Sequence, residues 1–239
     1  KKLFLRIFCY IGSAGCIGLY WFDPNHLELS MIPFFLASLG FWGSVGFYNA
    51  YLPEIAPREE HDRLSARGYA MGYWSSLIIL IICSGMIMGL GPQTTTFSFI
   101  LVGLWWFGFA HITFNSLPYI KKKDLPPGNI LFQGFRELRG VARDLKGATH
   151  IVRYLFAFFI MSMAIQTIML MASSFGIKEV GLSDTELIIT IFVVNFLAIP
   201  GAFGVSSLSK IIGNIRALIS CIIGWALLCL CAYFFATNK

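Results

Sequence analysis

The feature that most limits what this chain can fold into is a series of long runs almost free of charge. Residues 3–22, 31–51, 68–90, 97–119, 154–175, 187–208 and 217–235 hold between them a single Asp, Glu, Lys or Arg, namely Arg6. A helix crossing the hydrocarbon core of a bilayer needs about 20 mainly apolar residues, and one charge at its centre costs roughly 2.5–3.5 kcal/mol. Runs of this length fit spanning helices, because strands of a membrane barrel would be about ten residues long and alternate in polarity. Arg6 lies one turn inside the first run, where its long side chain can snorkel to the headgroups. Only 13% of the 239 residues are charged, about half of what a soluble domain carries. That is too little to coat a water-soluble enzyme. Aromatic residues make up 16%, which excludes intrinsic disorder. The expected fold class is an all-α integral membrane protein with seven transmembrane helices.

The loops orient these helices. Lys1, Lys2, Arg6, Arg58, Arg63, Arg67, Lys121, Lys122 and Lys123 flank alternate loops, starting from the N-terminus. Arg136, Arg139, Arg143, Lys146, Arg153, Lys210 and Arg216 continue on the same side. The opposite loops, 23–28, 91–96 and 176–184, hold only Lys178, and Lys239 ends the chain there. Basic loops stay cytoplasmic, so the N-terminus is expected inside and the C-terminal end outside. The formal charge of +6 is therefore a topological excess and not a nucleic-acid patch. The same orientation sets aside a seven-helix receptor of the rhodopsin type, whose N-terminus lies outside. The last run also has no lysine to hold a retinal. The six cysteines, Cys9, Cys16, Cys83, Cys221, Cys229 and Cys231, all fall inside runs and read as small packing residues. Because the sequence starts with Lys and stops four residues after its last run, it is expected to be an internal piece of a longer membrane protein.

Four runs with short connections precede a long cytoplasmic segment, 120–153, and three runs follow it. That segment opens on Lys121-Lys122-Lys123-Asp124 and breaks at Pro126-Pro127. Beyond the prolines Leu131, Phe135, Leu138, Ala142 and Leu145 recur at steps of four and three, with Arg136, Arg139, Arg143 and Lys146 on a shifted stripe. This spacing predicts an amphipathic basic helix suited to an anionic leaflet, either a linker between two bundles or a juxtamembrane anchor. Glycine is the second organising pattern: Gly12, Gly15 and Gly18, then Gly40, Gly43 and Gly46, then Gly68, Gly72, Gly85 and Gly89. Small residues at this spacing let helix backbones approach closely, and smooth faces can also slide. Pro200-Gly201 removes a helical hydrogen bond in the sixth run and permits a bend.

Polar residues inside the runs are the candidates for function. They include Asn49, His111, Asn115, Gln166, Thr167 and Asn195. No pair of carboxylates, His cluster or Ser–His–acid set lies among them, so no catalytic residue, metal site or cofactor is assigned. His111 and Asn115, four apart, share a helical face and suit either a proton relay or a packing hydrogen bond. Gln166 and Asn195 sit mid-run, where an amide can meet a substrate without a charge penalty or can join two helices. The densest polar segment is the cytoplasmic turn after the second run, with Glu54, Arg58, Glu59, Glu60, Asp62, Arg63 and Arg67. It reads as a solvated turn or as a set of ion pairs that open and close a gate. Ser65 is expected to cap the third helix.

At this turn the chain resembles a known family. Tyr48-Asn49-x-x-Leu52-Pro53-Glu54-Ile55-Ala56, followed by Ser65-x-x-Gly68-x-x-x-Gly72-Tyr73, is similar to the signature of the vacuole-effluxer-like branch of the major facilitator superfamily. The stretch from Gly134 through Gln166 to Gly176 is similar in character, and the resemblance covers essentially the whole chain. It implies that the runs are helices three to nine of a twelve-helix fold. Residues 1–120 would then end the first six-helix bundle, 121–153 would link the bundles, and 154–239 would begin the second. It implies a secondary transporter that moves a small polar solute by alternating access, with amino-acid efflux suggested by fungal relatives. A bacterial inner membrane, a single working copy and a lipid bilayer around it follow from the same resemblance. A coupled proton is the further partner to test, because the family's intramembrane acid would lie outside this sequence. Helices one, four, seven and ten line the cavity of the superfamily, which points to Gln166, Ser44 and Tyr48, with Asn195 added from its mid-run position. The gating set implied by the turn and its counterpart is Asn49, Glu54, Arg63, Arg67, Lys210 and Arg216. Lys210 stands where the superfamily loop usually carries Asp, so it departs from the usual charge relay. The rival reading is a non-transporting membrane receptor or scaffold that keeps the fold.

Overall fold

A computed structural model describes residues 1–118 and 130–237. The lysine run at 121–123 and the Pro126-Pro127 break lie outside them. Each charge-free run falls mainly on a helix among the described residues. In chain order these are α1 (Lys2–Gly18), α2 (Leu27–Asn49), α4 (His61–Leu90), α5 (Thr95–Ser116), α7 (Thr149–Phe175), α8 (Asp184–Ile212) and α9 (Asn214–Thr237). Among the described residues two more α-helices lie between them: α3 (Leu52–Ile55), a single turn, and α6 (Ile130–Gly147). All seven spanning helices are long and apolar enough to cross a membrane. Large apolar side chains cover their surfaces, as an apolar solvent requires.

Several helices outrun their apolar stretches at the basic end. α4 starts at His61 with Glu60 as its N-cap, so Ser65 lies inside the helix and does not cap it. Backbone hydrogen bonding needs no apolar side chains, and residues 61–67 extend the helix into the headgroup zone where water can meet their charges. Pro200 is accommodated within a continuous α8, and Pro33 likewise within α2. Each removes one backbone donor, and the helix continues through it.

Two compact units partition the chain, Lys1–Tyr119 with Ile188–Lys239, and Ile120–Leu187. In the first unit α1 is wedged between α2 and α5. The wedge depends on missing side chains. A Cβ on Gly40 would overlap the Gly12 backbone and sit 2.7 Å from the Phe8 carbonyl oxygen, and one on Gly15 would sit 2.5 Å from the Ala37 backbone nitrogen. On the other side of α1, a Cβ on Gly103 would lie 3.0 Å from the Ser13 carbonyl oxygen, while the Ser13 hydroxyl donates to the Gly103 carbonyl at 2.7 Å. Such contact is the route to helix association where lipid removes the hydrophobic drive. Gly46, Gly72, Gly85 and Gly89 face open space, so close packing is confined to part of the glycine pattern. Below the glycines, Leu5, Cys9, Tyr51, Ala110 and Phe114 form the buried core, flanked by Phe47, Trp106 and Leu117.

Charged groups close the basic end of this cluster. Lys1 pairs with Glu54 and donates to the Ala50 carbonyl at 3.4 Å, and Lys2 donates to the Leu117 carbonyl at 3.0 Å. Both carbonyls lie at helix C-termini, of α2 and α5, where the backbone dipole favours a cation. Arg6 is exposed, as a snorkelling residue should be, and its guanidinium lies 5.5 Å from the centre of the Phe114 ring. In the second unit α6 is followed by Ala148 and α7, and a π-helical turn, Gly176–Val180, ends at Gly181 with φ of 77°.

Candidate functional site

The polar turn after α2 is built from short helices in sequence. α2 ends at Asn49, α3 follows at once, and Pro57 with φ −68° and ψ 159° turns the chain into α4. The His61 ring closes this path through a 3.0 Å contact with the Ala56 carbonyl. Since a carbonyl only accepts, that ring nitrogen carries the proton. Asp62 then sits on the first turn of α4, where the helix dipole favours a carboxylate.

Asp62 reaches a partner 147 residues away. The Ser209 hydroxyl, on the last turn of α8, donates to the Asp62 carboxylate at 2.8 Å. Ser209 also touches the side-chain amide of Asn214, the first residue of α9. The atom in contact is the Asn214 side-chain oxygen, so the single Ser209 hydroxyl proton is shared between that oxygen and the Asp62 carboxylate. Between them Gly213, with φ of 85°, turns the chain from α8 to α9. The result is a polar latch between the start of α4 and the turn that joins α8 to α9.

The expected gating charges have different surroundings. Glu54 is paired, but its partner is Lys1 and not an arginine of its own turn. Arg63, Arg67, Lys210 and Arg216 are exposed and form no ion pair among the described residues; Asn49 is also exposed. The residues that do meet, Asp62, Ser209 and Asn214, escape sequence reasoning because two of the three are uncharged. The weak pointer is Ser209 beside Lys210, in the loop position already noted for its missing Asp.

The expected substrate residues fall into three settings. Ser44 is buried, and its hydroxyl donates to the Phe41 carbonyl at 2.8 Å on its own helix. Asn195 donates to the Ile191 carbonyl at 2.8 Å, again within one helix. Bonds of this kind keep a polar side chain satisfied in an apolar solvent. Tyr48 is half exposed near the end of α2, and a Cβ on Gly68 would lie 3.3 Å from its hydroxyl oxygen. Gln166 is exposed on α7, beside Thr167, whose hydroxyl donates to the Met163 carbonyl at 2.8 Å. Ser44 and Tyr48 share α2 within one turn, whereas Asn195 belongs to α8 and Gln166 to the second unit. One cavity, of about 360 Å³, is lined by Pro24, Asn25, His26, Leu27, Glu28 and Leu29 on the opposite loop and contains none of them.

His111 is paired with a residue other than Asn115. Its Nδ1 is 2.8 Å from the Phe107 carbonyl oxygen, and its Nε2 is 3.2 Å from the Tyr10 hydroxyl. The carbonyl fixes the proton on Nδ1, so the neutral ring accepts from Tyr10 and joins α5 to α1. Asn115 is exposed. Among the described residues no group of three His, Cys, Asp or Glu side chains could hold a metal ion.

The sequence model of the family described as "Vacuole effluxer Atg22 like" matches residues 1–238. The chain is 26% identical, over 251 aligned residues, to the uncharacterized MFS-type transporter YxiO of Bacillus subtilis (strain 168), covering 100% of this chain and 57% of that protein. It is 25% identical to autophagy-related protein 22-1 of Aspergillus niger, covering 67% of this chain and 28% of that one. For autophagy-related protein 22-1 of Neosartorya fischeri the identity is 24%, covering 67% and 29%. The chain thus spans little more than half the length of the bacterial relative and less than a third of the fungal ones. No solved structure matches it.

Proposed function

The chain belongs to the vacuole effluxer Atg22-like family, and on that premise we propose that it forms part of a secondary active transporter for a small polar solute. The observation that carries this reading is the family match from residue 1 to 238 over seven spanning helices almost free of charge. Such helices suit a protein that moves a solute between bundles and holds no fixed reactive centre. On this reading the helices are the third to ninth of a twelve-helix fold, with residues 1–120 and 154–239 contributing to its two bundles. The protein would sit in a bacterial inner membrane as a single copy.

Amino acids are the solute class to test first. The uncharged donors and acceptors of Ser44, Tyr48, Gln166 and Asn195 can meet a zwitterion without burying a fixed protein charge. The Asp62–Ser209–Asn214 latch supports alternating access, since it closes the cytoplasmic side through bonds weak enough to break in each cycle. The experiment is solute flux into proteoliposomes holding the full-length protein, with and without a pH gradient. Saturable uptake or release of at least one amino acid is expected. Folded protein that moves no amino acid under either condition would overturn that substrate class and favour the receptor or scaffold reading.

A further inference from the structure

α6 distributes its residues differently from every spanning helix. Those are apolar on all sides, whereas α6 from Leu138 to Gly147 keeps apolar and charged residues on separate arcs. With 3.6 residues per turn, Val141, Ala142 and Leu145 fall within an arc of about 100°. The sequence stripe extends it through Leu131, Phe135 and Leu138. Arg136, Arg139 and Arg143 fall within about 60° of one another along one flank of that arc. Asp144 lies along the other flank.

Neither face is consumed by packing. Val141 is 55% exposed, Ala142 is exposed, and so are the three arginines. The position of the helix along the membrane normal is set by its tether. A single residue, Ala148, separates Gly147 from the first residue of α7, and its φ of −105° and ψ of 67° break the helical path. The apolar run of α7 starts at Tyr154, about 10 Å beyond Gly147 at 1.5 Å per residue. The end of α6 is therefore held at headgroup depth, on the side marked cytoplasmic by the basic loops. Guanidinium groups hydrogen-bond phosphate through a planar fork, and an apolar arc beside them can enter the headgroup–acyl boundary.

We propose that α6 is an anionic-lipid binding surface that seats on the cytoplasmic leaflet, with Arg136, Arg139 and Arg143 holding lipid phosphates and the Val141–Ala142 face entering the boundary. A segment of protein covering the same arc would need carboxylates set to match three adjacent guanidinium groups, whereas an anionic leaflet supplies phosphates and an acyl boundary side by side.

The test uses the full-length protein with native cysteines replaced by alanine and a spin label at Val141→Cys or, about 100° round the helix and off the apolar arc, at Gly140→Cys. Collision rates with oxygen and with a water-soluble nickel chelate are measured in phosphatidylcholine vesicles with and without phosphatidylglycerol. Phosphatidylglycerol is expected to raise the oxygen-to-nickel ratio at position 141 and leave the label at 140 open to nickel. Arg136→Gln/Arg139→Gln/Arg143→Gln should lower the seated-to-lifted ratio on the order of one hundred-fold, given the attraction of each basic residue to an anionic surface. The proposal is overturned if position 141 is shielded from both reagents in every lipid, which would mean that protein covers it. It is equally overturned if the ratio ignores both phosphatidylglycerol and the arginine changes, or if positions 140 and 141 respond alike. None of these readouts depends on transport.

Discussion

Gly40 and Gly12 show how much a single hydrogen in place of a side chain decides. A methyl carbon added at Gly40 would overlap the facing Gly12 backbone, so α1 and α2 can stand at their observed separation only while Gly40 has no Cβ. Gly40→Ala is expected to force the helices apart at a cost of about 1–3 kcal/mol, read as a lower melting temperature of the full-length protein in detergent. Gly85→Ala, which meets nothing within 4 Å, should leave that temperature unchanged or slightly raised. An equal loss in both variants would refute the packing argument. Spacing alone could not separate the two glycines, because both sit in small-residue stripes and only one faces a neighbour. His111 carries the same lesson. Its helical neighbour Asn115 was visible in the sequence, but its partner Tyr10 lies 101 positions away. Tyr10→Phe leaves the Nε2 acceptor without its donor, and a loss of about 0.6 kcal/mol, typical of hydrogen bonds between spanning helices, is expected in unfolding titrations.

Among the elements, the α8–α9 turn shows most clearly how the charges of a segment and its contacts can fall on different residues. Its Lys210 and Arg216 are exposed, and the contact to Asp62 is made by Ser209, which also touches Asn214. Ser209→Ala removes the hydroxyl donor to Asp62 and should shift the equilibrium towards a cytoplasmically open form by about tenfold or more, for a bond to a carboxylate worth roughly 1.5–3 kcal/mol. Asp62→Asn keeps an acceptor and should shift it less. Maleimide labelling of a cysteine placed in the proposed cytoplasmic vestibule reads both, and the reverse ranking would remove the latch from the gate. Gly213 belongs to the same element. Its φ of 85° lies where a Cβ crowds the following carbonyl, so Gly213→Ala is expected to cost about 1–2 kcal/mol and to lower the thermal midpoint. Helix ends were the least legible part of every element. The apolar runs mark where lipid begins, whereas the helices continue until a turn such as Pro57 or Gly213 stops them.

At the scale of the whole molecule, the transport proposal makes Gln166 its most exposed commitment. Gln166→Leu is expected to reduce flux through the full-length protein at least tenfold, the equivalent of about 1.4 kcal/mol, while expression and melting temperature stay normal. Flux equal to that of the unaltered protein would exclude Gln166 from the solute path. The sequence by itself determined the apolar solvent that suits this protein, the number of helices fit to cross it and the gathering of basic residues at alternate loops. Each of those follows from a sum over consecutive residues, the transfer of some twenty side chains into hydrocarbon or the placement of a loop's charge. The signature turn also pointed to the family, because it is contiguous. Only the tertiary structure decided which glycines are contacts, which polar side chains turn back on their own helix, and which residues latch α4 to α8 and α9. Those depend on pairings between residues far apart in the chain. In a membrane, where spanning helices are apolar on every side, no hydrophobic stripe marks in advance which face will find a partner.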